Sequence, residues 1–325
     1  MGAGVDRAGA WDAAIVLAER TRASVWAAPA AERVGFPEDH PLYQGVLPFA
    51  IAPLAHKLTG HDVVIVLGAP VFRYYPYSPG LYVPEGTQLV QITDDPAEVE
   101  RAPVGEGVVG DILLAANELL TQVPQVERQA PPTRSIPAVP QMKTPLSPSS
   151  VYHALAAALP EKSVIVEESP LSLAALHEQV PIRHSGGYYT AASGGLGWAL
   201  PASVGIQLAQ PTRRVVCVIG DGSTMYSIQA FWSAVQHQAP IVVVTLRNRE
   251  YAILKSFGTF EKDASPLPGL DLPGFDLVPI AQGLGCEAHR VEQPEELTTL
   301  VQRAFQSQQS VLLEGVIDST VPPLL

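Results

Sequence analysis

The residues best suited to chemistry in this 325-residue chain are Asp221 and Asn248. Asp221 stands in Gly220-Asp221-Gly222-Ser223, directly after the apolar run Val215 to Ile219. Asn248 stands in Arg247-Asn248-Arg249-Glu250-Tyr251, directly after a second apolar run, Ile241 to Leu246. A carboxylate and a carboxamide oxygen are hard ligands of the kind Mg²⁺ takes, and Mg²⁺ completes its octahedron with phosphate oxygens and water. Gly220 and Gly222 leave the backbone free to approach a diphosphate. A helix starting near Ser223 would add unpaired N–H groups and a favourable dipole. Gly-Asp-Gly alone reads equally as a tight turn with a helix cap. The order strand, Gly-Asp-Gly-Ser, helix, strand, Asn is more specific. In a βαβ unit the C-terminal ends of neighbouring parallel strands lie side by side. Asp221 and Asn248, 27 positions apart, are therefore expected to converge at one sheet edge.

The elements that must position them follow from patterning. Ser149 or Ser150 is expected to cap a helix running to Leu159, and Ser163 to Val166 reads as a strand followed by Glu167-Glu168-Ser169-Pro170. A stretch dense in glycine and small residues, Ser185 to Trp198, would let backbone approach a ligand closely. Helices are predicted from about Trp198 to Leu208 and from Thr224 to Gln236. Earlier in the chain, helices are predicted over 11–22, 51–58 and 109–120, and strands over 24–28, 63–67 and 89–93. The β-branched run Val63 to Leu67 reads as a strand buried on both faces. Strands alternating with helices predict an α/β chain of two doubly wound parallel-sheet domains. Met1 to Gly4 resembles the loop that follows a first strand, so the first domain is expected to start just after that strand; the alternative is a domain that opens on a helix. Gly2-Ala3-Gly4 and Gly68 do not complete a dinucleotide fingerprint and read as turn glycines. Phe72-Arg73-Tyr74-Tyr75-Pro76-Tyr77 follows a strand end, where it serves either as ligand contact or as aromatic loop packing.

Composition bounds the rest. Seven prolines between Pro124 and Pro148 mark a semi-rigid linker, dividing the chain into 1–123, 124–148 and 149–325. A formal net charge of −12 argues against binding nucleic acid or an anionic membrane. With 47% hydrophobic and 16% charged residues the chain can bury a large core. No apolar stretch approaches the ~20 residues of a membrane span, and the N-terminus lacks a signal-peptide shape. Two cysteines, Cys217 and Cys286, cannot form a disulfide scaffold and read as buried thiols of a cytoplasmic protein.

Gly220-Asp221-Gly222 with Asn248 resembles the cofactor motif of the thiamine-diphosphate-dependent enzymes. Tyr226 to Trp232, Pro268 to Asp276, Gly194 to Pro201 and His61 to Tyr74 resemble the benzoylformate decarboxylase group within that family. The resemblance implies that 1–123 is a Rossmann-like central domain and 149–325 the diphosphate- and Mg²⁺-binding domain, and that a third, pyrimidine-binding domain is absent. It implies Asp221, Asn248 and the carbonyl of Glu250 as metal ligands. Gly194, Gly220, Gly222, Ser223, Tyr226 and Tyr251 would contact thiamine diphosphate, with Leu196 as the apolar wedge that holds it bent. Thr190, Ala191, Ile253, Leu254 and Phe257 would line the substrate pocket. The implied reaction is decarboxylation of an aryl 2-oxo acid to an aldehyde, the thiazolium ring accepting the electrons released with CO₂. The glutamate that activates the cofactor belongs to the pyrimidine domain, so the chain by itself is expected to be inactive, with no catalytic residue of its own. That domain would come from a missing segment or a separate chain, and a homodimer or homotetramer is implied. The alternatives are the large subunit of a split acetolactate-synthase-like or other thiamine-diphosphate enzyme, and a non-catalytic remnant.

Three stretches depart from the family pattern. Tyr75 replaces a histidine, Pro170-Leu171 replaces Thr-Ser, and Arg247-Asn248-Arg249-Glu250 replaces Asn-Asn-Gly-Thr. Arg247 and Arg249 would put bulk and charge beside the metal, or pair with the phosphates.

Overall fold

The computed structural model describes residues 1–135, 137–261 and 267–321. One position of the expected linker, and 262–266 and the last four residues of the expected second domain, therefore lie outside the described residues. The described chain falls into two compact units, Met1–Ile136 with Ile182–Tyr188, and Pro137–Pro181 with Tyr189–Leu325.

In the first unit the elements are α1 (Ala3–Arg7), α2 (Trp11–Thr21), β1 (Val25–Ala27), β2 (Tyr43–Val46), α3 (Ile51–Lys57), β3 (Val63–Leu67), β4 (Gln88–Thr93), α4 (Pro96–Arg101), β5 (Glu106–Val109) and α5 (Ile112–Gln122). Every strand pairing is parallel, as the alternation of elements predicts. The strands do not form one sheet. β1 pairs with β2, while β3, β4 and β5 make a separate three-stranded sheet. Residues 109–120, expected as one helix, are the end of β5 followed by α5, because Asp111 caps the helix by accepting from the Leu114 N–H. Met1 and Gly2 precede a short helix where a loop was expected through Gly4. β3 is not buried on both faces, since Val63 and Ile65 are 47% and 44% exposed. Its other residues do pack, Val64 and Val66 with Leu54, Leu58 and Phe72, and Leu67 with Ala14 and Ile112. Phe72 and Tyr74 stack edge to face at 6.1 Å, and Tyr74 meets Tyr82 at 5.4 Å, so these two aromatics pack the loop. Tyr75 and Tyr77 are exposed.

The second unit runs α6 (Pro148–Ala158), β6 (Val164–Glu168), a 3₁₀ turn (Pro170–Ser172), α7 (Leu173–Gln179), β7 (Tyr188–Thr190), α8 (Ala199–Ala209), β8 (Val215–Gly220), α9 (Asp221–Tyr226), α10 (Ala230–Gln236), β9 (Val242–Arg247), α11 (Ala252–Phe260), α12 (Leu277–Gly283), β10 (Glu287–Val291), α13 (Pro294–Gln306) and β11 (Val311–Val316). One six-stranded sheet has the order β10-β11-β9-β8-β6-β7. The central strands β8 and β9 are buried along their apolar length, as unbroken β-branched runs require. Phe231, Leu200, Ile219 and Val243 anchor the core against them. Two local expectations change. The cap of α6 is Ser147, in a reciprocal capping box with Ser150 and with Pro148 in the first turn, rather than Ser149 or Ser150. The predicted helix over 224–236 is two helices, α9 and α10, and it begins earlier, at Asp221.

Cys217 and Cys286 are buried free thiols. Burial raises both thiol pKa values, that of Cys286 to about 12. Among the described residues no helix is long and apolar enough to cross a membrane.

Candidate functional site

β8 and β9 are neighbours in parallel register, with Gly220 beside Leu246. Asp221 follows the end of β8 and Asn248 the end of β9, so both side chains belong to the same sheet edge. A direct bond ties the two strand tips together: the Arg249 N–H donates to Asp221 Oδ2 at 2.8 Å. Arg249 has a φ of +62°, an uncommon value for a residue with a side chain, which turns the chain sharply just after this bond. Asp221 Oδ1 accepts from the Gly222 N–H at 2.8 Å, and Asn248 Oδ1 accepts from the Glu250 N–H at 3.2 Å. Both oxygen groups are thus held by backbone donors and keep lone pairs for a cation.

Asp221 is 2% exposed. Desolvation raises its pKa from 3.8 to about 6, against the opposing pull of the Arg249 and Gly222 N–H groups and the Arg247 charge. A buried carboxylate that lacks a full countercharge is the kind of group a divalent cation relieves.

A cavity of about 70 Å³ gathers Leu196, Gly220, Asp221, Gly222, Ser223, Asn248, Glu250, Tyr251 and Ile253. Ser169, Pro170, Leu171 and Ser172 close another side. Gly222 is needed for this packing, since a Cβ there would stand 2.4 Å from Tyr251 Cε1. The other expected residues are not on the cavity wall. Tyr226 is exposed and hydrogen-bonds Tyr251. Gly194 has a φ of +68° and nothing near its Cβ position, so the turn and not crowding accounts for it. The Thr190 hydroxyl donates to Glu167, 3.0 Å from both its carbonyl oxygen and Oε2, and Ala191 follows it. Leu254 and Phe257 lie on α11 beside Ile253, with Leu254 exposed.

Arg247 does not turn toward the cation position. Its guanidinium donates to Glu314 Oε2 at 3.2 Å and to the Phe275 carbonyl at 2.9 Å. Arg290 Nε bonds the same Glu314 oxygen at 2.6 Å and also pairs with Asp276. Arg249 has an exposed side chain. Glu250 pairs with Lys255, which also reaches Asp271 at 2.7 Å.

Sequence patterning did not single out the role of Glu168. Its carboxylate accepts from the N–H groups of Gly197, Trp198 and Ala199 at 2.6, 2.8 and 2.7 Å. It therefore fastens the start of α8, next to Leu196, to the end of β6, and burial raises its pKa against those three donors. Beside it, Glu167 accepts from the Ser169 backbone N–H and holds Thr190. Two acids ending a buried β-branched strand were the available signal, because such charges must find donors.

The description "thiamine pyrophosphate enzyme, central domain" matches residues 1–119, and "thiamine pyrophosphate enzyme, C-terminal TPP binding domain" matches residues 172–315. The chain belongs to the thiamine-diphosphate-dependent (thiamine-pyrophosphate) enzyme family. Within it, the chain is 43% identical to benzoylformate decarboxylase of Pseudomonas aeruginosa, over 99% of this chain and 61% of the relative. The fold is similar to that of benzoylformate decarboxylase from Polynucleobacter necessarius, with a TM-score of 0.96 and 39% identity, covering 99% of this chain and 61% of that one. A thiamine diphosphate-dependent 4-hydroxybenzoylformate decarboxylase of Rhodococcus jostii matches with a TM-score of 0.95 and 39% identity, at the same coverage. The chain thus spans about three-fifths of the length of these relatives.

Proposed function

We propose that this chain is the central and diphosphate-binding part of a decarboxylase that converts an aryl 2-oxo acid to an aldehyde and CO₂. In this reading 1–123 is the central domain, 124–148 the linker and 149–325 the cofactor domain. The observation that carries it is the Asp221–Asn248 pair at adjacent parallel strand tips, joined through the Arg249 N–H and opening on one cavity with Gly220, Gly222 and Ser223.

The donor set suits Mg²⁺, which takes few protein oxygens and keeps phosphate and water ligands. Asp221, Asn248 and the Glu250 carbonyl would hold the ion, and the ion would offset the charge of the diphosphate. Thiamine diphosphate, when bound, supplies an electron sink for the carboxylate that leaves as CO₂. The residues of this chain bind and orient. Ser223, Tyr226 and Tyr251 would contact the diphosphate, and Gly220 and Gly222 would admit it. Leu196, next to the Gly197 N–H that Glu168 holds, would support the cofactor. Ile253 lines the cavity, and Thr190, Ala191, Leu254 and Phe257 would bound the substrate side. Arg247 acts at a distance, its charge favouring the ionised form of Asp221. Proton transfer at the aminopyrimidine needs a glutamate from a pyrimidine-binding domain, carried upstream or on a separate chain, and the assembly is a homodimer or homotetramer in the cytoplasm.

Calorimetric titration with thiamine diphosphate and Mg²⁺, alone and with a pyrimidine-domain fragment, tests this. Mg²⁺-dependent binding that Asp221→Ala abolishes is the expected outcome, with CO₂ release from benzoylformate only in the reconstituted mixture. Binding that ignores Mg²⁺ and Asp221 would overturn the site. No CO₂ release despite binding would overturn the decarboxylase assignment alone.

A further inference from the structure

The residues just after Asn248 are held in an extended pairing. The Arg249 carbonyl accepts from the Leu272 N–H, and the Tyr251 N–H donates to the Leu270 carbonyl, both at 2.8 Å. Between these two bonds Glu250 and Asp271 form an antiparallel bridge. A pair flanked in this way is the non-hydrogen-bonded kind, in which opposite side chains come closest. The flanking bonds also decide where the backbone of Glu250 points. Residues of such a pairing turn their N–H and C=O alternately toward and away from the partner, so Glu250 turns both away from 270–272. Its N–H reaches Asn248 Oδ1, and the same alternation places its carbonyl on that side.

That bridge sets two carboxylates opposite each other, and like charges directly opposite work against a strand pairing. Asp271 is 81% exposed, so water screens it. Glu250 has no such relief. Its side chain is 10% exposed, and its Oε1 is buried without a hydrogen-bond partner. Its other oxygen, Oε2, accepts from the ammonium of Lys255, one turn into α11. The same ammonium donates to Asp271 Oδ1 at 2.7 Å. One cation therefore meets both acids of the bridge. Glu250 is also the immediate neighbour of Arg249, whose N–H ties this turn to Asp221.

We propose that Lys255 is the positioning residue of the cation-binding turn: its ammonium holds the Glu250–Asp271 bridge closed, so that 248–251 keeps its bond to Asp221 and presents the Glu250 carbonyl to the cation. An ammonium cannot itself ligate a cation, so Lys255 acts through Glu250. Without it, a buried carboxylate is left uncompensated opposite a second one. The bridge is the weakest join that relieves this, because it consists of two backbone bonds outside the six-stranded sheet. Opening it draws Arg249 away from Asp221, and the cation site loses its shape with Asp221 and Asn248 both in place. The role toward the cation rests on the proposed function, whereas the closed bridge does not.

The test compares the full chain with Lys255→Met and with a triple variant, Lys255→Met, Glu250→Gln and Asp271→Asn. The single change leaves two facing carboxylates, and the triple change leaves no charge at the bridge. Hydrogen exchange without added ligand is read at the Arg249, Tyr251 and Leu272 amides, with Val216 and Val243 as internal references. K255M is expected to speed exchange at the three amides by about tenfold with the references unchanged, and the triple variant to return to within about threefold of the native rate. Equal exchange in K255M and the native chain would overturn the role of Lys255. Fast exchange in the triple variant as well would overturn it too, since Lys255 would then act by packing and not by charge. If K255M does not fold, the triple variant decides: native-like exchange supports the role, and fast exchange or failure to fold overturns it. Calorimetric titration with Mg²⁺ and thiamine diphosphate reads the cation separately. K255M is expected to weaken Mg²⁺-dependent binding by about tenfold and the triple variant to restore it. Undiminished binding by K255M would overturn the role toward the cation. Absence of Mg²⁺-dependent binding in the native chain would overturn the proposed function and that role with it, and the exchange result decides the bridge.

Discussion

Replacing Glu168 with Gln keeps the length of the side chain but turns one acceptor oxygen into an NH₂ donor. In the native arrangement Oε1 accepts from Gly197, and Oε2 accepts from both Trp198 and Ala199. The best placement of Gln keeps its oxygen on Trp198 and Ala199 and sets its NH₂ against the Gly197 N–H. One charge-assisted bond is then lost, worth about 1.5–3 kcal/mol. The other two fall to neutral strength, roughly half. Gly197 is half-buried, so water recovers part of its donor. The sum is a destabilisation of about 3 kcal/mol. For a unit of this size that lowers the melting temperature by about 9 °C. Calorimetry of E168Q measures that shift, and hydrogen exchange at Gly197, Trp198 and Ala199 locates it. The raised pKa of Glu168 does not contradict the loss, because it compares carboxylate with carboxylic acid, whereas the substitution places a donor against a donor. A change below about 1 °C, with unchanged exchange at those three amides, would refute the claim that this carboxylate fastens the start of α8 to β6.

Three further outcomes can be measured. Gly222→Ala places a Cβ 2.4 Å from Tyr251 Cε1, and displacing that ring is expected to weaken Mg²⁺-dependent cofactor binding by about tenfold in calorimetry, with little change in melting temperature. Glu314→Gln leaves the buried Arg247 guanidinium short of its countercharge; Glu314 is 0% exposed, so a loss of about 3 kcal/mol in urea unfolding is expected. Cys217 and Cys286 are buried with thiol pKa values raised well above 9, so a disulfide reagent at pH 8 should modify them only at the rate of unfolding, and fast labelling of the native protein would refute their burial.

The α/β class and the central parallel strands were legible because unbroken β-branched runs such as Val215 to Ile219 and Ile241 to Leu246 have few other uses. The convergence of Asp221 and Asn248 was legible for a topological reason: parallel strands joined by a helix put their C-terminal tips on one edge. Helix boundaries were less so. Ser147 is the cap of α6 because its backbone sits extended before Pro148, which composition around Ser149 and Ser150 does not reveal. The break between α9 and α10 falls at Ser227, where the backbone leaves the helical region, and carries no proline or glycine to mark it.

By itself, then, the sequence determined which residue types stand at strand ends and in what order, since hydrophobic period and turn chemistry are local properties of the chain. The tertiary structure decided where charges find their partners. It turned Arg247 away from the cation position onto Glu314, gave Glu168 to the start of α8, and left Val63 and Ile65 exposed. Those outcomes depend on contacts between residues distant in sequence, such as Arg247 with Glu314 or Met1 with Trp26, and no local pattern encodes which distant donor reaches which acceptor.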